Sequence, residues 1–100
     1  MTTLSYMNST LRLDVSINDG IHTVSIAGEL DAGSVSELSD CLDGCREPGA
    51  RVLLDLRELN FMDGAGLELL DRTYVESSLE GWTFAVMTTG ERYIARAVAA

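Results

Sequence analysis

The stretch Asp55-Leu56-Arg57-Glu58-Leu59-Asn60-Phe61-Met62-Asp63-Gly64-Ala65-Gly66-Leu67-Glu68-Leu69-Leu70 permits few local structures. Val52, Leu53, Leu54 and Leu56 form a short apolar run just before and into it, as expected of a central strand covered on both faces. Asp63 is suited to cap a helix, because its carboxylate can accept from the free N–H groups of the first turn. Met62 precedes the cap and Leu67 follows it by four residues, the spacing of a hydrophobic staple. Gly64, Ala65 and Gly66 leave that first turn almost bare. A strand, a tight loop and a bare helix start make a natural seat for a phosphate or a partner surface.

The rest of the chain falls into place around this unit. Leu11, Leu13, Val15 and Ile17 alternate with Arg12, Asp14 and Ser16, the period of a half-buried strand. Asn18-Asp19-Gly20 signals a hairpin, so the strand returning from Ile21 to Gly28 should run antiparallel to the first. Residues 1–10 read as a loose lead-in or a short edge segment. Glu29 to Gly33 is a loop, and Asp31 or Ser34 is placed to cap the next helix. In that helix Val35, Leu38, Cys41, Leu42 and Cys45 share one face, opposite Glu37, Asp40 and Asp43. Glu47-Pro48-Gly49 stops it. A strand over 51–56 follows, then a helix from Gly64 to about Leu79. In it Leu67, Leu70 and Tyr74 point inward, and Glu68, Asp71, Arg72 and Glu76 point outward. Trp82 to Met87 is a further strand, Thr88-Thr89-Gly90 a turn and Glu91 to Ala100 a last helix. Phe61, Tyr74 and Trp82 are expected in the core or at its edge, with Phe61-Met62 as exposed apolar contact at the partner surface the alternative. The order β-β-α-β-α-β-α predicts one small α/β domain over 1–100. Its four-stranded mixed sheet should carry packed helices and right-handed crossovers.

Charge narrows the partners. The net charge is −9, and all seven basic residues are arginine. Such a chain repels nucleic acid and anionic membrane surfaces and suits a partner with a basic face. No apolar run approaches the roughly 18 residues of a membrane span. Residues 1–10 hold no basic residue and no signal-like apolar block, which points to the cytoplasm. There the two cysteines are expected reduced.

Three constellations carry possible chemistry. Glu29 and Asp31 form an acidic pair, but no His, Ser or Cys nucleophile supports them, so no enzyme activity is expected. Gly64-x-Gly66 lacks the lysine and spacing of a nucleotide loop, and no cofactor is implied. Cys41 and Cys45 are most simply two small buried apolar residues. A bridge inside a regular helix would be strained, since bridged Cβ atoms lie ~4 Å apart and i, i+4 neighbours ~6 Å. A redox pair is the alternative. A metal site is discounted, because His22 is the only histidine and about four ligands are needed.

Leu54-Asp55-Leu56, followed by Asp63-x-x-Gly66-Leu67 and preceded by Gly28-Glu29-Leu30-Asp31, resembles the signature of STAS domains, the fold of bacterial anti-sigma-factor antagonists. The resemblance runs from about Leu11 to the C-terminus. It implies a STAS-like fold and a protein-binding role. The partner surface would comprise Glu29, Leu30, Asp31, Met62, Asp63, Gly64, Ala65, Leu67 and Glu68. By the same resemblance the partner is an anti-sigma factor, usually a serine-kinase-like ATPase, whose capture frees a sigma factor. In phosphorylatable members the motif reads Asp-Ser-Ser-Gly or Asp-Ser-Thr-Gly, and the residue after the Asp takes the phosphoryl group. Here those two positions are Gly64 and Ala65. A phosphoryl group would add nearly two negative charges, tolerated by the helix dipole but disruptive to an interface. Without an acceptor at Gly64, the resemblance implies a permanently binding-competent surface. The loss also keeps a second role open, a STAS subunit beside the transporter ATPase of a phospholipid-transport ABC system or in a stress-signalling scaffold. An open first-strand edge would permit a homodimer, and Ser34, Ser36 and Thr73 remain other candidates for modification.

Overall fold

The computed structural model describes residues 11–88, together with the backbone pairing of residues 2–7. Five strands, β1 (Thr2–Met7), β2 (Leu11–Asn18), β3 (Ile21–Leu30), β4 (Arg51–Met62) and β5 (Thr83–Met87), form one sheet in chain order. Two helices, α1 (Val35–Asp43) and α2 (Gly64–Glu80), connect β3 to β4 and β4 to β5. The β1–β2 and β2–β3 pairs are antiparallel, and β3–β4 and β4–β5 are parallel. The four strands expected are present, and β1 adds a fifth along β2. That pairing covers the edge that had been expected to stay open for self-association. The helix expected over 91–100 lies outside the described residues, as do Thr89 and Gly90 of the turn expected over 88–90.

The β2–β3 hairpin turns on Asp19 and Gly20, both at positive φ (53° and 77°). Two such residues make the tight turn whose twist matches the strands. Along β2, β3 and β4, Leu13, Val15, Val24, Ile26, Val52, Leu54 and Leu56 are buried. The register sets Leu13 beside Ile26, Val24 beside Leu54 and Val52 beside Phe84, so these side chains share one face. Leu38 and Leu42 of α1 and Leu69 and Leu70 of α2 complete the same core. Among the described residues the helices cover this one face of the sheet, not both. Leu53 points the other way and is half-buried between Thr23 and Ala85, neighbours small enough to leave it partly open.

β4 runs six residues beyond the strand expected over 51–56. It does so through two irregularities: Ser25 pairs with Asp55 but Ala27 with Glu58, and Gly28 pairs with Leu59 but Glu29 with Phe61. Each inserts an extra β4 residue, which breaks the alternation that marks a strand in sequence. At the first, Asp55 Oδ1 accepts from the Arg57 backbone N–H and from Arg57 Nε, each at 3.0 Å. The Arg57 guanidinium lowers the Asp55 carboxyl below its ordinary value, with burial opposing.

The far end of α2 is tied down by one arginine. Arg46, just after α1, reaches Glu76 at 2.7 Å, Glu80 at 2.9 Å and Asp43 at 3.0 Å. Its guanidinium lies 5.3 Å from the centre of the Trp82 ring, and Trp82 Nε1 donates to Glu80 at 2.9 Å. Arg46 is pushed above its ordinary pKa chiefly by Glu76, and Glu80 is held below its own by Trp82 and then Arg46.

Candidate functional site

The two sequence landmarks meet at the C-terminal ends of β3 and β4. Asp63 joins them. Its Oδ1 accepts from Ala65 N (2.9 Å) and Gly66 N (3.2 Å), capping α2 as expected. Its Oδ2 accepts from Ala32 N at 3.3 Å, which fastens the β3–α1 loop to the helix start. The backbone repeats the link, with Asp63 N–H donating to Leu30 O at 3.2 Å. One carboxylate therefore satisfies three backbone donors from both motifs, and the cap is specific to this meeting point.

The loop has its own lock. Ser34 occupies the cap position of α1, yet its side chain does not cap the helix. Its Oγ donates to Glu29 O (2.9 Å) and accepts from Asp31 N (3.1 Å) instead. Asp31 Oδ1 accepts from Gly33 N at 3.0 Å. Ser34 and Thr73 are 0% and 2% exposed, so of the alternative hydroxyls only Ser36 stands open.

The expected site residues divide into a floor and a surface. Leu30 (0% exposed) and Met62 (8%) lie beneath, in the core. Gly66 packs directly on them: a Cβ there would sit 2.6 Å from Met62 Cγ and 3.1 Å from Leu30. Asp31, Asp63, Ala65 and Leu67 are half-buried, and Glu29, Gly64 and Glu68 are exposed. Leu30 and Met62 therefore shape the patch without being presented on it. Of the two readings for Phe61, core edge or exposed apolar contact, it takes the exposed one, 47% open beside Glu29. Strand alternation carries the signal: with Met62 inward, its neighbour must face out. Tyr74 is 39% exposed, because the inward stripe of α2 runs through Gly66, Leu69, Leu70, Thr73 and Ser77.

A Cβ at Gly64 would meet nothing within 4 Å. A side chain at that position would project into solvent from the first turn. Among the described residues, Glu29, Asp31, Asp63 and Glu68 make no ion pair, and together they give this end of the sheet an acidic surface. Such a surface can steer a basic partner and fix its orientation. Two small recesses lie elsewhere, one of about 120 Å³ at the Asp55 irregularity and one of about 190 Å³ between α1 and α2. Among the described residues no three His, Cys, Asp or Glu side chains are grouped to hold a metal. No helix among them is long and apolar enough to cross a membrane.

Residues 12–100 match the STAS domain family model. The anti-sigma-B factor antagonist of Bacillus subtilis is 30% identical over 84 residues, which is 84% of this chain and 77% of that protein. The anti-sigma-B factor antagonist of Staphylococcus aureus is 33% identical over 60 residues, 59% of this chain and 56% of the relative. Among solved structures, an anti-sigma factor antagonist from Mycobacterium paratuberculosis superposes with a TM-score of 0.71 at 23% identity, covering 90% of this chain and 76% of that one. A STAS antagonist from Rhodobacter sphaeroides gives 0.64 at 15% identity, covering 81% and 89%. At these identities the solved structures support the shared fold.

Proposed function

The chain belongs to the STAS domain family, and on that premise we propose that it is an anti-sigma-factor antagonist acting from the surface around the start of α2. It binds an anti-sigma factor and so frees a sigma factor, without touching DNA and without catalysing a reaction. The partner is a serine-kinase-like ATPase, met in the cytoplasm. Its docking face comprises Glu29, Asp31, Asp63, Gly64, Ala65, Leu67 and Glu68, with Leu30 and Met62 as the floor. The named relatives favour this role over a transporter subunit.

The observation that carries the reading is the Asp63 bridge, which binds both family landmarks into one acidic patch. Gly64 adds the regulatory half. Its site is open, so a hydroxyl would fit, but the chain supplies none and a kinase has nothing there to modify. The surface stays competent to bind whatever the partner's kinase activity. The test is a calorimetric titration against the cell's own kinase-like anti-sigma factor. The parent binds, and Gly64→Asp, which places a negative charge where a phosphoryl group would sit, weakens binding at least tenfold. Equal affinity of the two would remove the docking face from the start of α2.

A further inference from the structure

We propose that Cys41 and Cys45 form a dithiol–disulfide modification site at the end of α1, oxidised by small-molecule disulfides such as glutathione disulfide and transmitted to α2 through Arg46. The inference is independent of the binding partner. A bridge between i and i+4 cysteines is strained in a regular helix, but this pair does not lie in one. α1 ends at Asp43. Gly44 N–H is shared between Asp40 O (3.3 Å) and Cys41 O (3.2 Å), and Cys45 N–H donates to Leu42 O at 3.0 Å, three residues back. Regular helix would send that last bond to Cys41. The regular α-helical bonding has therefore ended before Cys45, in a turn tightened to i→i−3 bonds, with a glycine between the two cysteines to absorb further change.

The thiols are free, with Cys41 half-buried and Cys45 buried. Hydrogen bonding between the two neighbouring thiols pushes Cys41 up and Cys45 down, while burial raises both. Exchange runs through whichever sulfur is deprotonated and reachable, and Cys41 is the more exposed of the two.

The exchange balances without any other reactant. The more exposed Cys41 gives its proton to solvent and its sulfur attacks one sulfur of glutathione disulfide, breaking that S–S bond and releasing a glutathione thiolate. The thiolate takes the proton from Cys45. Cys45 then attacks the Cys41 sulfur of the mixed disulfide and expels the second glutathione, which is protonated by solvent. Two protein thiols are oxidised, and one external disulfide is reduced to two thiols.

Bridged Cβ atoms must approach to ~4 Å. Closing the turn draws in Cys45 and shifts the adjoining Arg46, which holds Glu76, Glu80 and the Trp82 ring. Trp82 is the only tryptophan, so its fluorescence reports the change.

The experiment equilibrates the reduced full chain with glutathione and glutathione disulfide across a range of ratios. Acid quenching, alkylation and intact mass then score the products, with Trp82 fluorescence followed in parallel. At disulfide-rich ratios the parent is expected to lose both alkylation sites, become lighter by two hydrogens and shift its emission. Cys41→Ser and Cys45→Ser should each carry at most one glutathione adduct and keep the reduced-state emission. Cys45→Ala stands in should the serine variant fail to fold. A parent that stays doubly alkylated, or gains only glutathione adducts, overturns the site. A bridge that leaves Trp82 emission unchanged overturns the route through Arg46.

Discussion

At its N-terminal end α2 starts on Gly64, Ala65 and Gly66, held by a single carboxylate that bonds only backbone N–H groups. At its C-terminal end the same helix carries Glu76 and Glu80, and both are bound by Arg46 under the Trp82 ring. Acids near a helix C-terminus oppose the helix dipole, so the arginine there answers an internal need. Acids near the N-terminal end need no such partner. Glu29, Asp31 and Glu68 accordingly remain unpaired among the described residues. The comparison teaches that charge count alone does not locate a docking face. What matters is which charges the fold has already used.

The contrast can be broken most forcefully at Gly66. Gly66→Val drives a branched side chain into Met62 and Leu30. The expected loss is about 1–3 kcal/mol, read as a lower urea midpoint with an unchanged slope. Asp63→Ala comes next. It removes the cap and the tie to Ala32 together, for a loss of about 1–2 kcal/mol. Amide exchange should then quicken in the β3–α1 loop as well as in the first turn of α2. A loss confined to the helix would mean that the bridge to Ala32 contributes nothing.

Arg46→Met probes the other end, with an expected loss of about 1 kcal/mol or less, since its ion pairs are partly exposed. The sign with pH follows from Glu80, whose folded pKa lies below the ordinary 4.5. Its contribution is present above 4.5 and fades as pH falls through the lower folded value. The gap in melting temperature between parent and Arg46→Met should therefore narrow on acidification below that point. Smallest is Gly64→Ser, which should change stability by no more than about 0.5 kcal/mol, because the site is open. A large loss there would show that the start of α2 is as internally committed as its end.

Much of this was legible in the sequence. The hairpin at Asp19-Gly20, the cap at Asp63 and the α/β order follow from local chemistry that tertiary packing did not override. The length of β4 was hidden, because its extra residues interrupt the alternation and place Arg57, Glu58 and Asn60 where a loop reads equally well. The partial exposure of Leu53 was hidden because, in an apolar run, it reads as buried whichever face it takes. Leu30 and Met62 could be placed at the site but not beneath it, since their depth depends on Gly66 closing over them. The Arg46 cluster joins residues about thirty positions apart, which no local pattern announces.

The most direct test of the two-ended helix is amide hydrogen exchange on the chain alone and bound to its anti-sigma factor. The account predicts new protection at the amides of 29–34 and 62–68, with those of 43–47 and 76–82 unchanged. Protection centred on the Arg46 end, with the start of α2 unaffected, would contradict it.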